Sequence, residues 1–131
     1  MPRMRKTRVF ISFDYDHDED LKVLLVGQAR NPQSPFFVED WSIKEASPDW
    51  KAKARDRIKR ADQVLVICGK HTHQAVGVSA EIVIAREAKT PYFLLRGRAS
   101  GWVRRPRGTS VCEMVYPWTW DNLRAITTGK R

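Results

Sequence analysis

Four groups of polar side chains in this chain have the types and spacing to do chemistry. Three of them close apolar runs: Ser12-Phe13-Asp14-Tyr15-Asp16-His17-Asp18, Glu39-Asp40-Trp41-Ser42 and Gly69-Lys70-His71-Thr72-His73. The fourth is a single acid, Glu81, inside the largely apolar stretch Val78 to Ala85. A carboxylate held at a ligand-binding edge beside an apolar surface stabilises positive charge developing on a sugar, which is the chemistry of glycosidic-bond cleavage. The plainer account of Glu81 is an acid in the first turn of a helix, favoured there by the helix dipole by ~0.3 to 1 kcal/mol. Its place at the ligand-binding edge of the fold argues for the chemical reading.

Other chemistries are less well served. There is no GxGxxG, and neither Gly69-Lys70 nor Gly129-Lys130 has the earlier glycine that a phosphate-cradling Walker loop requires. Gly77-Val78-Ser79-Ala80-Glu81 imitates a nucleophile elbow but lacks its closing glycine. Cys68, His71 and His73 fall short of the four ligands of a structural zinc site, so a core cysteine and two loop histidines are expected and no metal. Asp14, Asp16, Asp18, Glu19 and Asp20 resemble the magnesium cluster of a phospho-acceptor domain. Helix capping by Asp18 and solvation explain those acids more simply, and the strands that would carry the partner Asp and Lys end instead in Cys68 and Leu95-Arg96.

The elements that must position these groups follow from the hydrophobic pattern. Arg8–Phe13 reads as a buried strand, and Leu21, Leu24, Leu25 and Gln28 as one helical face ending at Asn31-Pro32. Pro35–Val38 is a short second strand, Glu39–Ala46 a polar loop, and Ser47-Pro48 the capped start of a helix carrying Trp50, Ala54, Ile58 and Ala61. Gln63–Cys68 is continuously apolar after its first residue, as a central parallel strand covered on both faces must be. Gly69–Val76 is a loop, Val78–Lys89 a helix facing inward through Ile82 and Ala85, and Pro91–Leu95 a fourth strand. Thr109–Val115 is a candidate fifth strand, and a last helix over 118–127 opens at Thr119. This alternation specifies an α/β, flavodoxin-like three-layer sandwich with a mostly parallel central sheet of about five strands. In such a sheet ligands bind beyond the carboxyl ends of the strands, where the three polar clusters converge.

Composition sets the frame. The chain has 131 residues, 42% hydrophobic and 30% charged, which suits one domain, 1–131, with a core of its own. No apolar run approaches the ~20 residues of a membrane span, no hydrophobic segment follows the basic start, and two cysteines suit reduced thiols, so a cytoplasmic protein is expected. The formal charge of +9 is unevenly spread: a basic leader over 1–8 carries +4, residues 9–95 carry −1, and residues 96–131 carry +6. The last group includes a basic loop, 96–108, with Arg96, Arg98, Arg104, Arg105 and Arg107. Such a patch could dock nucleic acid or an acidic partner, although only Trp102 offers a stacking face and a solvated loop is the simpler account. A non-catalytic interaction module built on this patch is the alternative to an enzyme.

Several of these segments together resemble a known family. Val9-Phe10-Ile11-Ser12-Phe13, Asp40-Trp41-Ser42, Val64 to Gly69, Gly69-Lys70-His71-Thr72-His73, Gly77-Val78-Ser79-Ala80-Glu81-Ile82 and Pro117-Trp118-Thr119-Trp120-Asp121-Asn122-Leu123 are similar in order and spacing to the TIR-like family of the Thoeris ThsB anti-phage proteins. The resemblance implies a hydrolase of bacterial or archaeal antiviral defence that cleaves the nicotinamide glycosidic bond of NAD and cyclises the ADP-ribose. That signal would reach a cognate effector protein, with self-association as a further partner and NAD as substrate, so that no cofactor is needed. By position, Glu81 is the catalytic acid, and Ser12, Asp14 and Tyr15 line the ribose and nicotinamide side. Asp40, Trp41 and Ser42 match a loop near the nucleotide, and His71, Thr72 and His73 flank the diphosphate. One departure stands out: where many TIR NADases carry Ser-x-Trp-Cys-x-x-Glu, this chain has Ala75, Gly77, Val78 and Glu81. A stacking aromatic must therefore come from elsewhere, with Trp41 and Tyr15 as the candidates.

Overall fold

A computed structural model describes residues 6–42, 48–98 and 102–129. Strands β1 (Thr7–Ser12), β2 (Phe36–Trp41), β3 (Gln63–Cys68), β4 (Tyr92–Arg96) and β5 (Val115–Tyr116) form one parallel sheet in the order β2-β1-β3-β4-β5. Helices α1 (Glu19–Ala29), α2 (Trp50–Arg60), α3 (Val76–Ala88) and α4 (Trp120–Thr127) cover it. Every residue of β3 is buried, as its position in the middle of the sheet demands.

Alternation along the strands divides the core. Val9, Ile11, Leu65 and Ile67 pack with Leu21, Leu25, Leu123 and Ile126 on the α1 and α4 side. Phe10, Val64 and Val66 pack with Ala54, Ile58, Val78, Ile82 and Ala85 on the α2 and α3 side. Ser12 shares the parity of Phe10, so the last residue of β1 turns its hydroxyl toward α3.

Several boundaries differ from the sequence reading. Leu24 is 54% exposed, because the inward stripe of α1 runs at i, i+4 and i+8 through Leu21, Leu25 and Ala29 and leaves the i+3 position off it. β2 extends through Glu39, Asp40 and Trp41, which the polar composition marked as loop. Asp49 rather than Ser47 precedes α2, and Ser47 lies outside the described residues. Asp18 stands at the N-cap of α1 without bonding its amides; its carboxylate is drawn instead to Arg98. The fifth strand contracts to two residues, since backbone groups at Ser110 and Glu113 are taken up by the Glu113 and Arg105 side chains. Thr119 caps α4 as expected, accepting from Asn122 N–H at 3.1 Å. No helix among the described residues is long and apolar enough to cross a membrane.

Candidate active site

Helix α3 begins at Val76, two residues earlier than its periodicity suggests, so Glu81 sits in the second turn and the first turn carries no acid. The dipole account of Glu81 loses its basis there, since that effect fades beyond the first turn. Glu81 also lies on the inward face, three residues after Val78 and four before Ala85, and is only 2% exposed. A buried carboxylate needs polar partners, and two hydroxyls meet one of its oxygens. Ser12 Oγ donates to Oε1 at 2.7 Å and Ser42 Oγ donates to the same atom at 2.6 Å. Ser42 in turn accepts from Phe13 N–H at 3.1 Å, and of the two acceptors within reach of its proton, Glu81 Oε1 at 2.6 Å is far closer than the Ile11 carbonyl at 3.4 Å.

Ser42 reaches this position through an irregularity of β2. The β1–β2 register runs Val9↔Val38 and then Phe10↔Asp40, which leaves Glu39 as an extra residue. Strict alternation from Phe36 and Val38, both on the α1 side, would carry Ser42 to that side as well. With the bulge, Asp40 faces α2 and pairs with Arg57 at 3.0 Å. Trp41 faces α1 beneath the Lys22 ammonium, 4.6 Å from the ring centroid. Ser42 then faces Glu81.

In front of Glu81 lies a cleft of about 330 Å³. The turn after β1 forms one wall with Asp14, Tyr15, Asp16 and His17, and the start of α3 forms the other with Gln74 to Val78. Tyr15 stacks on Phe13 with centroids 5.4 Å apart, and a hydrogen bond to Glu19 raises its phenol above the ordinary value. Asp14, 7% exposed, accepts from Asp16 N–H at 3.1 Å and meets His17 Nδ1 at 2.7 Å. A carboxylate can only accept, so Nδ1 is the protonated nitrogen of that ring. A second cleft of about 240 Å³, holding His73, Ser79 and Arg107, adjoins the first along residues 74–76.

The candidates from the sequence therefore separate. Ser12, Asp14, Tyr15 and Ser42 gather around Glu81. Asp40 and Trp41 do not line the cleft, being committed to Arg57 and Lys22. His71 stacks on His17 with centroids 4.1 Å apart, and Thr72 is buried, its hydroxyl accepting from Gly69 N–H at 2.7 Å. His73 belongs to the second cleft, and its Nδ1 is buried with no hydrogen-bond partner among the described residues. Sequence reasoning missed the wall formed by residues 74–78; the earlier start of α3, opposite the turn after β1, is what makes it one. Gly77, where the related pattern has Trp, leaves that wall open.

The rest of the chemistry is quiet. Burial pushes the Cys68 thiol up to about 12, so it is inert at neutral pH. The basic loop is partly spent inside the molecule. Arg98 pairs with Asp18 at 3.1 Å and Asp20 at 2.9 Å, and Arg105 donates to the Glu113 carbonyl. Fewer free cations remain for a nucleic acid than the sequence counts. The family model for the Thoeris protein ThsB, TIR-like domain, matches residues 10–98, from within β1 to just beyond β4. No curated protein matches the chain.

Proposed function

Because the chain belongs to the TIR-like domain family of the Thoeris ThsB proteins, an anti-phage defence family that includes NAD-cleaving members, we propose that it cleaves the nicotinamide glycosidic bond of NAD. Glu81 is the catalytic carboxylate. The observation that carries this reading is the burial of that acid at the cleft, its Oε1 held by the Ser12 and Ser42 hydroxyls. A carboxylate so fixed cannot swing away, and it faces the position where positive charge grows on the ribose as nicotinamide departs.

Charge orients the substrate. Asp14, Asp16 and Glu81 line the first cleft and attract the cationic nicotinamide ring, while they repel a diphosphate. Arg107 at the second cleft supplies the complementary charge, so the dinucleotide runs from one cleft to the other across residues 74–76. Tyr15 takes the stacking role that Gly77 cannot fill. The ADP-ribose product, linear or cyclised, is then a diffusible signal to a cognate effector in the cytoplasm.

Purified protein incubated with NAD, alone and with lysate from phage-infected cells, should release nicotinamide with ADP-ribose or a cyclic isomer. Glu81→Gln should lower that release by at least about 10²-fold while keeping the wild-type circular dichroism. Unchanged release from Glu81→Gln would remove Glu81 as the catalyst.

A further inference from the structure

One pair in the cleft is not used by bond cleavage. Asp14 and His17 stand in the acid, imidazole and cleft order of a proton-transfer dyad. The carboxylate is nearly buried, pinned by Asp16 N–H at 3.1 Å and joined to Nδ1 at 2.7 Å. The ring is fixed on its other side by stacking on His71. With Nδ1 protonated toward Asp14, the lone pair of the neutral ring is on Nε2, which has no hydrogen-bond partner among the described residues. Asp14 and His17 line the same cleft as Glu81.

We infer that His17, oriented by Asp14, is the general base for the nucleophile that captures the ribosyl cation, and that this nucleophile is an O–H group, water in the simplest case. The inference rests on the NAD-cleaving reading. The C1′–N bond breaks and its electron pair leaves with neutral nicotinamide. The water oxygen bonds to C1′ as its proton passes to His17 Nε2, and the imidazolium returns that proton to solvent. Glu81 stabilises the cation, and His17, oriented by Asp14, completes its capture, so Glu81 and Asp14 have separate tasks. The charged and titratable groups around the His17 ring and its turn are Asp14, Tyr15 and Asp16 beside it, Asp18, Arg98 through the His17 carbonyl, His71 stacked from the loop after β3, and Glu81 from α3.

Steady-state NAD cleavage by His17→Gln, Asp14→Asn, Glu81→Gln and wild type, with kcat and KM separated, tests this. His17→Gln should lower kcat about 10²-fold with KM within about twofold. Asp14→Asn should lower kcat in the same direction but less, again with KM within about twofold. A wild-type kcat in His17→Gln, with Glu81→Gln inactive, overturns the role of His17 and leaves the NAD reading standing; no NAD cleavage by the wild type overturns the NAD reading, and an active Glu81→Gln removes Glu81 as the catalyst. A readout independent of turnover is the His17 ring resonance in NMR on adding ADP-ribose. A shift is expected, and an unmoved His17 signal under saturating ligand sinks the proposal.

Discussion

Glu81 is an acid where the periodicity of its helix calls for a core residue, and two serines, one ending β1 and one just past β2, help make that tolerable. Replacing either serine removes a donor from a buried charge, and the cost is expressed in catalysis if Glu81 is the catalyst, because a loosened carboxylate no longer meets the developing cation. Ser42→Ala should lower kcat about tenfold, equivalent to about 1.4 kcal/mol, with little change in KM. An equal fall in apparent affinity instead would make Ser42 a substrate contact. Glu81 and Ser12 were legible as candidate site residues because each closes or interrupts an apolar run. The Asp14–His17 pair was legible only as two members of an acidic cluster, since nothing in a linear sequence says which of Asp14, Asp16 and Asp18 a histidine will face.

At the scale of elements, the bulge in β2 decides which side chains reach the site. Glu39 is the extra residue opposite Val9 and Phe10, so deleting it restores a regular ladder without turning Asp40, Trp41 or Ser42 over. That deletion should keep NAD cleavage near wild type. Inserting one alanine between Asp40 and Trp41 reverses the facing of Ser42 and should cost at least as much activity as Ser42→Ala. If the two variants behaved alike, the facing of Ser42 would not matter. Elements with strong periodicity, β1, β3 and the inward face of α3 at Ile82 and Ala85, were foreseeable from apolar spacing. The exposure of Leu24 and the two-residue β5 were not, because each depends on what neighbours the element once packed.

At the scale of the molecule, Arg98 fastens the segment after β4 to the start of α1. Its guanidinium reaches Asp18 and Asp20 and donates to the His17 carbonyl at 3.0 Å. Gly69 lies so close to Asp18 that a Cβ there would run into the carboxylate. Burial raises the Asp18 carboxyl, with Arg98 pulling the other way, while Arg98 holds the exposed Asp20 carboxyl below its ordinary value. Removing Arg98 leaves Asp18 charged, buried and uncompensated, so Arg98→Ala should lose about 2 kcal/mol at pH 7 in denaturant unfolding. A carboxyl whose folded pKa is raised binds its proton more tightly when folded, so protonation favours the folded state. The deficit of Arg98→Ala should therefore shrink as pH falls through the raised pKa of Asp18, a range that begins above the ordinary value of 3.8. Asp20 works in the opposite sense, its depressed pKa giving stability that is lost as pH falls, and being exposed it contributes less. A deficit that stayed constant from pH 7 to pH 4 would show that Asp18 does not need the guanidinium.

The hydrophobic pattern by itself determined the alternation of strands and helices, the central place of Gln63–Cys68 and the sheet edge at which the polar loops meet, because burying apolar side chains at periods of two and 3.6 admits few other arrangements. The charge of the basic loop was countable, but its partners were not: Arg98 and Arg105 find them 78 and eight residues away in sequence, at Asp20 and Glu113. Tertiary structure alone decided that Glu81 faces inward, that Trp41 leaves the cleft while Ser42 enters it, and that Asp14 takes His17 as its partner. For Trp41 and Ser42 the reason is the β2 bulge. Facing depends on register, register here includes one extra residue, and the residue that absorbs the shift has no signature until its neighbouring strand is in place.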